Sequence, residues 1–329
     1  IGALIAISSA DKSKVVDRLV TKKIFYGWWI VVAGAVLNFL VGGTLIYGFT
    51  VFFNPIRQTF GWGAAVTSVA FAIRGLETGF LDPVVGMLVD KVGPRKLMLP
   101  GWALAAVGFL LLSRINSLWA FYAAFLLMAT GLCFGSFIPI NTAVAHWFNR
   151  KRSRAMALLY LGFGASGLLA PVLALSISEF GWRTSLVLIG VIFLLIGVPL
   201  SLLMRHRPSS YGYLPDGDTG HTETNEPEHH PLSKIATRAP DHPEASFTTR
   251  AALKTRAFWL LSAVFFFQHI ATSAVMVHIV PSLESVEVST TIAATAVTGM
   301  TVCSLVGRLG FGFLGDFTNK RYLIAIALA

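Results

Sequence analysis

The sequence has few charged residues, only two cysteines, and no cluster of residues with the spacing of a metal site or a catalytic motif. Charged residues make up 13% of the 329 residues, about half the share in a typical soluble domain, which excludes an ordinary soluble globular chain. Cys133 and Cys303 lie in different apolar stretches, so we interpret them as small packing residues, not as a disulfide or metal pair. Because no nucleophile elbow, phosphate-binding loop or set of metal ligands is present, we expect no enzyme activity, no catalytic residue, no metal and no cofactor.

Apolar residues are what the sequence has in abundance. They account for 55% of the chain, and the mean hydropathy is +0.69. Nine apolar stretches can be placed, and a complete stretch of this kind can cross a hydrocarbon core of about 30 Å. They cover residues 28–53, 64–89, 97–113, 118–145, 155–178 and 182–204, and then 257–281, 290–314 and 322–329. The pattern predicts an all-α membrane protein whose chain is truncated in its ninth transmembrane helix.

The positive residues collect on one side of these stretches. Of 26 Lys and Arg residues, 21 lie in segments on the side of the amino end. Three lie on the opposite side, Arg57, Arg114 and Arg183, and two lie within apolar stretches, Arg74 and Arg308. Since cytoplasmic loops carry the positive excess, we predict a multi-pass protein of the plasma or inner membrane with a cytoplasmic N-terminus. The net charge of +10 then needs no nucleic-acid partner.

The composition divides the chain into four regions. Residues 1–24 are predicted to form a cytoplasmic N-terminal tail, and residues 25–204 a six-helix half. Residues 205–256 hold six of the 14 prolines and five of the eight histidines without an apolar period, which predicts a flexible cytoplasmic linker. Residues 257–329 are predicted to begin an incomplete second half.

A ten-residue pattern occurs twice, 226 positions apart, each time between two apolar stretches. Its glycine, aspartate and arginine are Gly86, Asp90 and Arg95 in GMLVDKVGPR, and Gly312, Asp316 and Arg321 in GFLGDFTNKR. The repeated loop resembles the signature loop of the major facilitator superfamily of transporters. That resemblance implies two parallel halves of six helices each and transport by alternating access. It also implies that these six residues act in the conformational change, through bonds that hold one state and release in the other.

The loop before the fifth apolar stretch carries a second resemblance. It is similar to a pattern of the monocarboxylate transporters and their oxalate/formate antiporter relatives, on Trp147, Phe148, Arg150, Lys151, Arg152, Ala155, Gly164 and Gly167. The chain departs from that group at residues 26–29, where an acidic, glycine-rich entry is often found. The resemblance implies a small organic anion, a mono- or dicarboxylate, as substrate.

Arg308 is the strongest candidate for binding that anion. An arginine at the bilayer centre costs about 2.5–3.5 kcal/mol on insertion scales, so its presence calls for a function. Thr301, Ser304 and Arg308 are spaced as one polar stripe on a helix, and Gly307-Arg308-Leu309 resembles the span-eight arginine to which carboxylate carriers assign the substrate. A guanidinium can hold a carboxylate through two parallel hydrogen bonds. The alternative is that Arg308 locks its helix to a neighbouring carbonyl or carboxylate near the cytoplasmic gate.

The second apolar stretch contains Arg74, Glu77 and Asp82, an unusual charge load for a helix in lipid. Arg74 is a second candidate for binding substrate, and Glu77 is the leading candidate for proton coupling because an anion that engages Arg74 would release Glu77 to take a proton. The alternative is a static Arg74–Glu77 pair, since the two are i,i+3 neighbours. Asp82, which lies 226 positions before Arg308, and His269 are further proton-coupling candidates, although His269 could equally bond a backbone carbonyl.

Together these features predict secondary active transport of a small organic anion, coupled to protons or run as exchange. The expected partners are the anion, protons and the lipid bilayer, and a monomer is favoured. Two alternatives stay open: export of amphipathic drug-like solutes, and a non-transporting membrane sensor with the same fold.

Overall fold

A computed structural model describes residues 25–217, 249–285, 303, 305–311 and 314. Within these residues the regular structure is helical, and no strand is found. The described residues belong to two compact units. One contains residues 25–217 together with 305–311 and 314, and the other contains residues 249–285 with 303.

The helices of the first unit follow one another with short connections. They are α1 (Tyr26–Val41), α2 (Gly48–Phe60), α3 (Ala64–Val92), α4 (Pro94–Ser113), α5 (Leu118–Gly135), α6 (Phe137–Trp147), α7 (Arg152–Ala165), α8 (Leu169–Ile192) and α9 (Val198–Leu202). Two π-helical stretches, Gly42–Tyr47 and Phe193–Gly197, and three 3₁₀ turns, Ser166–Leu168, Pro208–Tyr211 and Pro215–Gly217, connect or follow them. The second unit contains α10 (Thr249–Leu253) and α11 (Arg256–Ser285).

Among the described residues, four helical runs are long and apolar enough to cross a membrane: Tyr26–Leu45, Pro94–Ser113, Leu118–Trp147 and Arg152–Leu202. The last run has 51 residues, about twice what one crossing needs. It reverses at Gly181, whose φ of 77° is left-handed. The hydroxyls of Ser176 and Ser185 consequently lie 2.8 Å apart, whereas a continuous helix would separate them by about 13 Å. The run therefore makes two crossings, with its turn between the fifth and sixth predicted spans.

The backbones of α4 and α5 approach each other closely where both helices carry glycine. A Cβ added at Gly131 would lie 2.3 Å from the backbone nitrogen of Ala105, and one at Gly108 would lie 2.5 Å from the Cα of Met128. Small residues at such positions allow van der Waals packing between helices, which is the main attraction available to them in lipid. This helix pair supports the bundle core, where Trp102 and Phe121 are fully buried.

The start of the predicted linker is folded, which differs from the sequence-based expectation for residues 205–256. Pro208 is buried, and the ring of Tyr213 lies 5.8 Å from that of Trp147. The Arg205 guanidinium lies 3.9 Å from the ring centre of Tyr26. A few aromatic and proline contacts therefore fix residues 205–217, although the composition of the whole segment is polar. Residues 1–24 and 218–248 lie outside the described residues.

Candidate functional site

A polar cavity of about 60 Å³ lies inside the first unit, between α1, α3, α5 and α6. Arg74, Thr78 and Asp82 line it from the middle of α3, and their spacing of four residues puts them on one face of that helix. Cys133 and Ser136 supply further polar groups. The remaining lining is apolar and consists of Val41, Leu45, Ala129, Leu132, Phe137 and Ile138.

A break in the helical backbone forms one wall of this cavity. Between α5 and α6, Ser136 has the non-helical angles φ −119° and ψ −113°. The freed carbonyl of Gly135 accepts a hydrogen bond from Trp102 Nε1 at 2.8 Å, and Ser136 Oγ donates to the carbonyl of Leu132 at 2.6 Å. Irregular backbone at membrane depth is tolerated where protein or a cavity surrounds it. Such broken helices commonly line the binding sites of transporters.

Two carboxyl groups of α3, those of Glu77 and Asp82, are hydrogen-bonded to α5. Cys133 Sγ donates to Asp82 Oδ1 at 3.1 Å, so this cysteine does more than fill space. Glu77 Oε1 is hydrogen-bonded to the Thr130 hydroxyl, whereas Glu77 Oε2 is buried and has no hydrogen-bond partner among the described residues. Glu77 of α3 is therefore hydrogen-bonded to the neighbouring helix α5, whereas Arg74 of α3 lines the cavity. Sequence reasoning did not select Thr130 or Cys133.

Arg308 lies against α7. Its Nη1 donates to the carbonyl of Tyr160 at 3.1 Å, and its guanidinium carbon lies 6.0 Å from the ring centre of Phe163. A Cβ added at Gly164 would lie 3.3 Å from the same Nη1, so this glycine makes room for the arginine. The structure gives Arg308 and Arg74 different neighbours. Thr301 and Ser304 lie outside the described residues.

The first signature loop connects α3 to α4. Gly86 is half-buried on α3, and Asp90 and Arg95 are exposed on either side of the turn. The turn itself is made by Gly93, whose φ is 89°. Gly312, Asp316 and Arg321 of the second loop lie outside the described residues, as does the side chain of His269 on α11.

Comparison with known sequences identifies the family. The profile of the Major Facilitator Superfamily matches residues 24–329. The chain belongs to the major facilitator superfamily. Its relatives include Monocarboxylate transporter 13 of Rattus norvegicus, which is 28% identical in an alignment of 302 positions that covers 88% of this chain and 61% of the relative. Monocarboxylate transporter 12 of Mus musculus is 27% identical, over 92% of this chain and 65% of the relative. The Oxalate:formate antiporter of Oxalobacter formigenes is 26% identical over 54% of this chain and 42% of the relative.

The superfamily assignment confirms the predicted all-α transporter fold and the two resemblances found in the loops. Proteins of this superfamily are multi-pass membrane transporters, which agrees with the apolar helices of the structure. The chain spans about three fifths of the length of the monocarboxylate transporters that it matches.

In this member of the superfamily, Asp216 is a structural residue that sequence reasoning missed. Its carboxylate accepts three successive backbone N–H groups at the start of α7, from Asn149 at 3.0 Å, Arg150 at 2.7 Å and Lys151 at 3.1 Å. Asp216 is 6% exposed and has a φ of 62°, which aspartate tolerates better than most residues. The tripeptide Pro-Asp-Gly at residues 215–217 is a turn signal that could have indicated it.

Asn38 of α1 is a second missed residue. Its side chain is fully buried, and its Nδ2 and Oδ1 have no hydrogen-bond partner among the described residues. It lies one turn before Val41, which lines the cavity. Leaving an amide unpaired in the core is costly, which makes Asn38 a further candidate for a polar contact in another conformation.

The surroundings of His206 predict that the stability of the segment after α9 depends on pH. Its ring lies 5.2 Å from that of His146. Burial, followed by the nearby His146 and Arg207, lowers the pKa of His206, and Asp90 opposes this shift. The folded protein therefore binds this proton less readily than the unfolded chain, so stability is full above a pH of about 6.5 and decreases as the pH falls below it.

We expect faster hydrogen exchange in residues 203–213 at pH 5.5 than at pH 7.5, after correction for the intrinsic rate. His206→Gln should reduce this pH dependence, and His221→Gln is the control. An unchanged pH dependence in His206→Gln would contradict the assignment.

Proposed function

We propose that the protein carries out secondary active transport of a small organic anion, a mono- or dicarboxylate, by alternating access. The observation that carries the proposal is the arginine Arg74 lining a cavity inside an apolar bundle. A cation held inside a membrane protein attracts an anion, and guanidinium is suited to carboxylate. The names of the relatives, monocarboxylate transporters and an oxalate:formate antiporter, support the substrate class.

Arg308 is proposed as the principal substrate residue. A guanidinium has five N–H groups, and the carbonyl of Tyr160 takes one of them through Nη1. A carboxylate can therefore bind beside this contact or replace it. The contact with Tyr160 also supports the alternative role of Arg308 as a gate residue.

Glu77 is proposed as the proton-coupling residue, and the hydrogen bonds of Thr130 support this role. The Thr130 hydroxyl lies 2.9 Å from the carbonyl of Leu126 and also contacts Glu77 Oε1. A hydroxyl has one hydrogen, and the carbonyl can only accept. The Thr130 hydroxyl can donate to an ionised Glu77. When it donates to the carbonyl of Leu126 instead, the hydrogen in the contact with Glu77 comes from a protonated Glu77. The arrangement thus suits a carboxyl that gains and loses a proton during transport.

Glu77→Gln is expected to abolish uptake driven by a pH gradient while leaving anion exchange in place, because glutamine cannot carry the transported proton. Initial rates in proteoliposomes, with and without an imposed gradient, test this. Glu179→Gln, which changes an exposed carboxylate on α8, is the matched control. Intact pH-driven uptake in Glu77→Gln would exclude Glu77 and leave Asp82 or His269 as candidates.

The membrane arrangement is part of the proposal. We place the protein in the plasma or inner membrane with its N-terminus in the cytoplasm. In that orientation 21 of the 26 Lys and Arg residues lie on the cytoplasmic side, where positive residues are in excess. Residues 25–204 would form one half, and residues from 257 onward would begin the other. Asp90, Arg95 and their counterparts in the second loop would stabilise one of the two access states.

Counterflow of labelled lactate, pyruvate, oxalate and formate in proteoliposomes tests the proposal as a whole. Saturable uptake of one of these acids is the expected result. Binding without flux would favour a sensor, and uptake of amphipathic drug-like solutes alone would favour an exporter.

A further inference from the structure

A groove of about 440 Å³ opens where α4 ends and α5 begins. Arg114 and Ile115 of the connecting turn form one end, and Ala120, Ala123, Ala124 and Leu127 line it along α5. These four positions follow the i, i+3, i+4, i+7 spacing of one helix face. Three of the four are alanines, so the face is apolar and leaves space beside the helix.

Two of the three positive residues on this side of the bundle meet at the groove. Arg183 Nη2 donates to the carbonyl of Ile115 at 3.2 Å, which brings its guanidinium to the turn. Arg114 is exposed, and its guanidinium makes no hydrogen bond or ion pair with the described part of the chain. Because positive residues are scarce on this side, their convergence at one apolar groove indicates an anionic group with an apolar tail.

The aromatic residues beside the groove place its mouth at the membrane surface. Trp119 is 79% exposed, and its ring lies 6.1 Å from that of Tyr122. Indole and phenol rings are enriched in the headgroup layer. Arg114 therefore lies at headgroup level, and the alanine face extends from it toward the hydrocarbon core.

We infer that this groove binds one anionic phospholipid, with its phosphate on Arg114 and an acyl chain along the alanine face. A guanidinium can bind phosphate through two parallel hydrogen bonds. A zwitterionic lipid adds an ammonium group that Arg114 and Arg183 would repel. A second copy of the chain fits less well, because it would bring the same cations to face each other.

Native mass spectrometry of the purified, delipidated protein tests the site with phosphatidylglycerol and phosphatidylcholine of identical acyl chains. We expect one phosphatidylglycerol to bind at least about tenfold more tightly than phosphatidylcholine. Arg114→Gln should remove that preference, and Ala123→Phe, which fills the groove, should weaken both lipids. Arg57→Gln is the matched control, since it removes the third cation of the same side away from the groove.

Several results would overturn the inference. Equal affinities for the two lipids would show that the bound lipid is only annular lipid without a specific site. Equal losses of the phosphatidylglycerol preference in Arg114→Gln and Arg57→Gln would show the same. A dimer that excludes lipid from the groove would assign it to a second copy. Should Ala123→Phe fail to fold, Ala120→Leu fills the same groove with a smaller change. The readout is lipid binding, so its outcome does not depend on whether the protein transports carboxylates.

Discussion

Replacing Arg308 with alanine is expected to abolish saturable carboxylate uptake while the protein remains folded. A hydrogen bond to a charged group contributes about 1.5–3 kcal/mol, and each 1.4 kcal/mol is a tenfold change in affinity. Losing a two-bond contact should therefore weaken binding at least about a hundredfold. Arg308→Lys keeps the charge but loses the planar arrangement of donors, so we expect transport with a clearly raised apparent KM. Counterflow in proteoliposomes measures both variants.

Leu305→Ala is the matched control for Arg308. Leu305 lies one turn earlier on the same helix, and its Cδ2 would lie 2.5 Å from a Cβ added at Gly164 of α7. It therefore shares the helix contact of Arg308 without its charge, and Leu305→Ala should keep the apparent affinity. Full transport with unchanged apparent affinity in Arg308→Lys would contradict the substrate role. A reduced maximal rate with unchanged affinity would instead support the gate.

The crossings of the first unit could be predicted because the bilayer imposes a simple length requirement. Apolar stretches of about 20 residues must form helices, since only hydrogen bonds within the segment satisfy the backbone in lipid. The predicted end of the fifth span at residue 178 and the start of the sixth at 182 bracket the turn at Gly181. The break at Ser136 was missed because the prediction used hydropathy alone. Pro139 carries the signal, since proline has no N–H to donate to the carbonyl of Gly135 four residues earlier.

The charged residues of the candidate site could be predicted from the sequence, whereas their hydrogen-bond partners could not. Arg74 and Asp82 stand out because a charge in lipid is costly, and both line the cavity. Thr130 and Cys133 are small residues of a kind common in packed membrane helices. Their hydrogen bonds to the α3 carboxylates depend on how α5 is turned toward α3, which the sequence does not reveal.

The folded segment after α9 shows how an average over composition can conceal local structure. Residues 205–256 are polar as a whole, so the prediction treated them as one flexible segment. Tyr213, Arg205 and Asp216 nevertheless make contacts with α6, α1 and the start of α7 that an average cannot represent. These contacts fix the amino end of α7. The carbonyl of Tyr160, which accepts a hydrogen bond from Arg308, lies about 12 Å further along the axis of the same helix.

Removing the Asp216 carboxylate should therefore destabilise the end of the first unit where α7 begins. Three N–H groups donate to this buried carboxylate, and its loss leaves them without their acceptor. Taking about 1.5–3 kcal/mol for a hydrogen bond to a charged group, and allowing for shared oxygens, we expect a loss of about 3 kcal/mol. For a chain of 329 residues this corresponds to a fall of about 4 °C in the thermal midpoint.

The choice of substitution separates the carboxylate from the backbone. Asp216 has a φ of 62°, which glycine adopts freely and alanine adopts at a cost of about 1–2 kcal/mol. Asp216→Gly therefore removes the hydrogen bonds without backbone strain in the folded state, although glycine also adds entropy to the unfolded chain. Asp216→Ala removes the same hydrogen bonds and adds backbone strain. Asp216→Asn keeps one acceptor oxygen without the charge, so the thermal midpoints should fall in the order Asp, Asn, Gly, Ala. Glu179→Ala is the control, since it removes an exposed carboxylate. If Asp216→Gly had the same thermal midpoint as the unchanged protein, the hydrogen bonds to the Asp216 carboxylate would contribute nothing to stability.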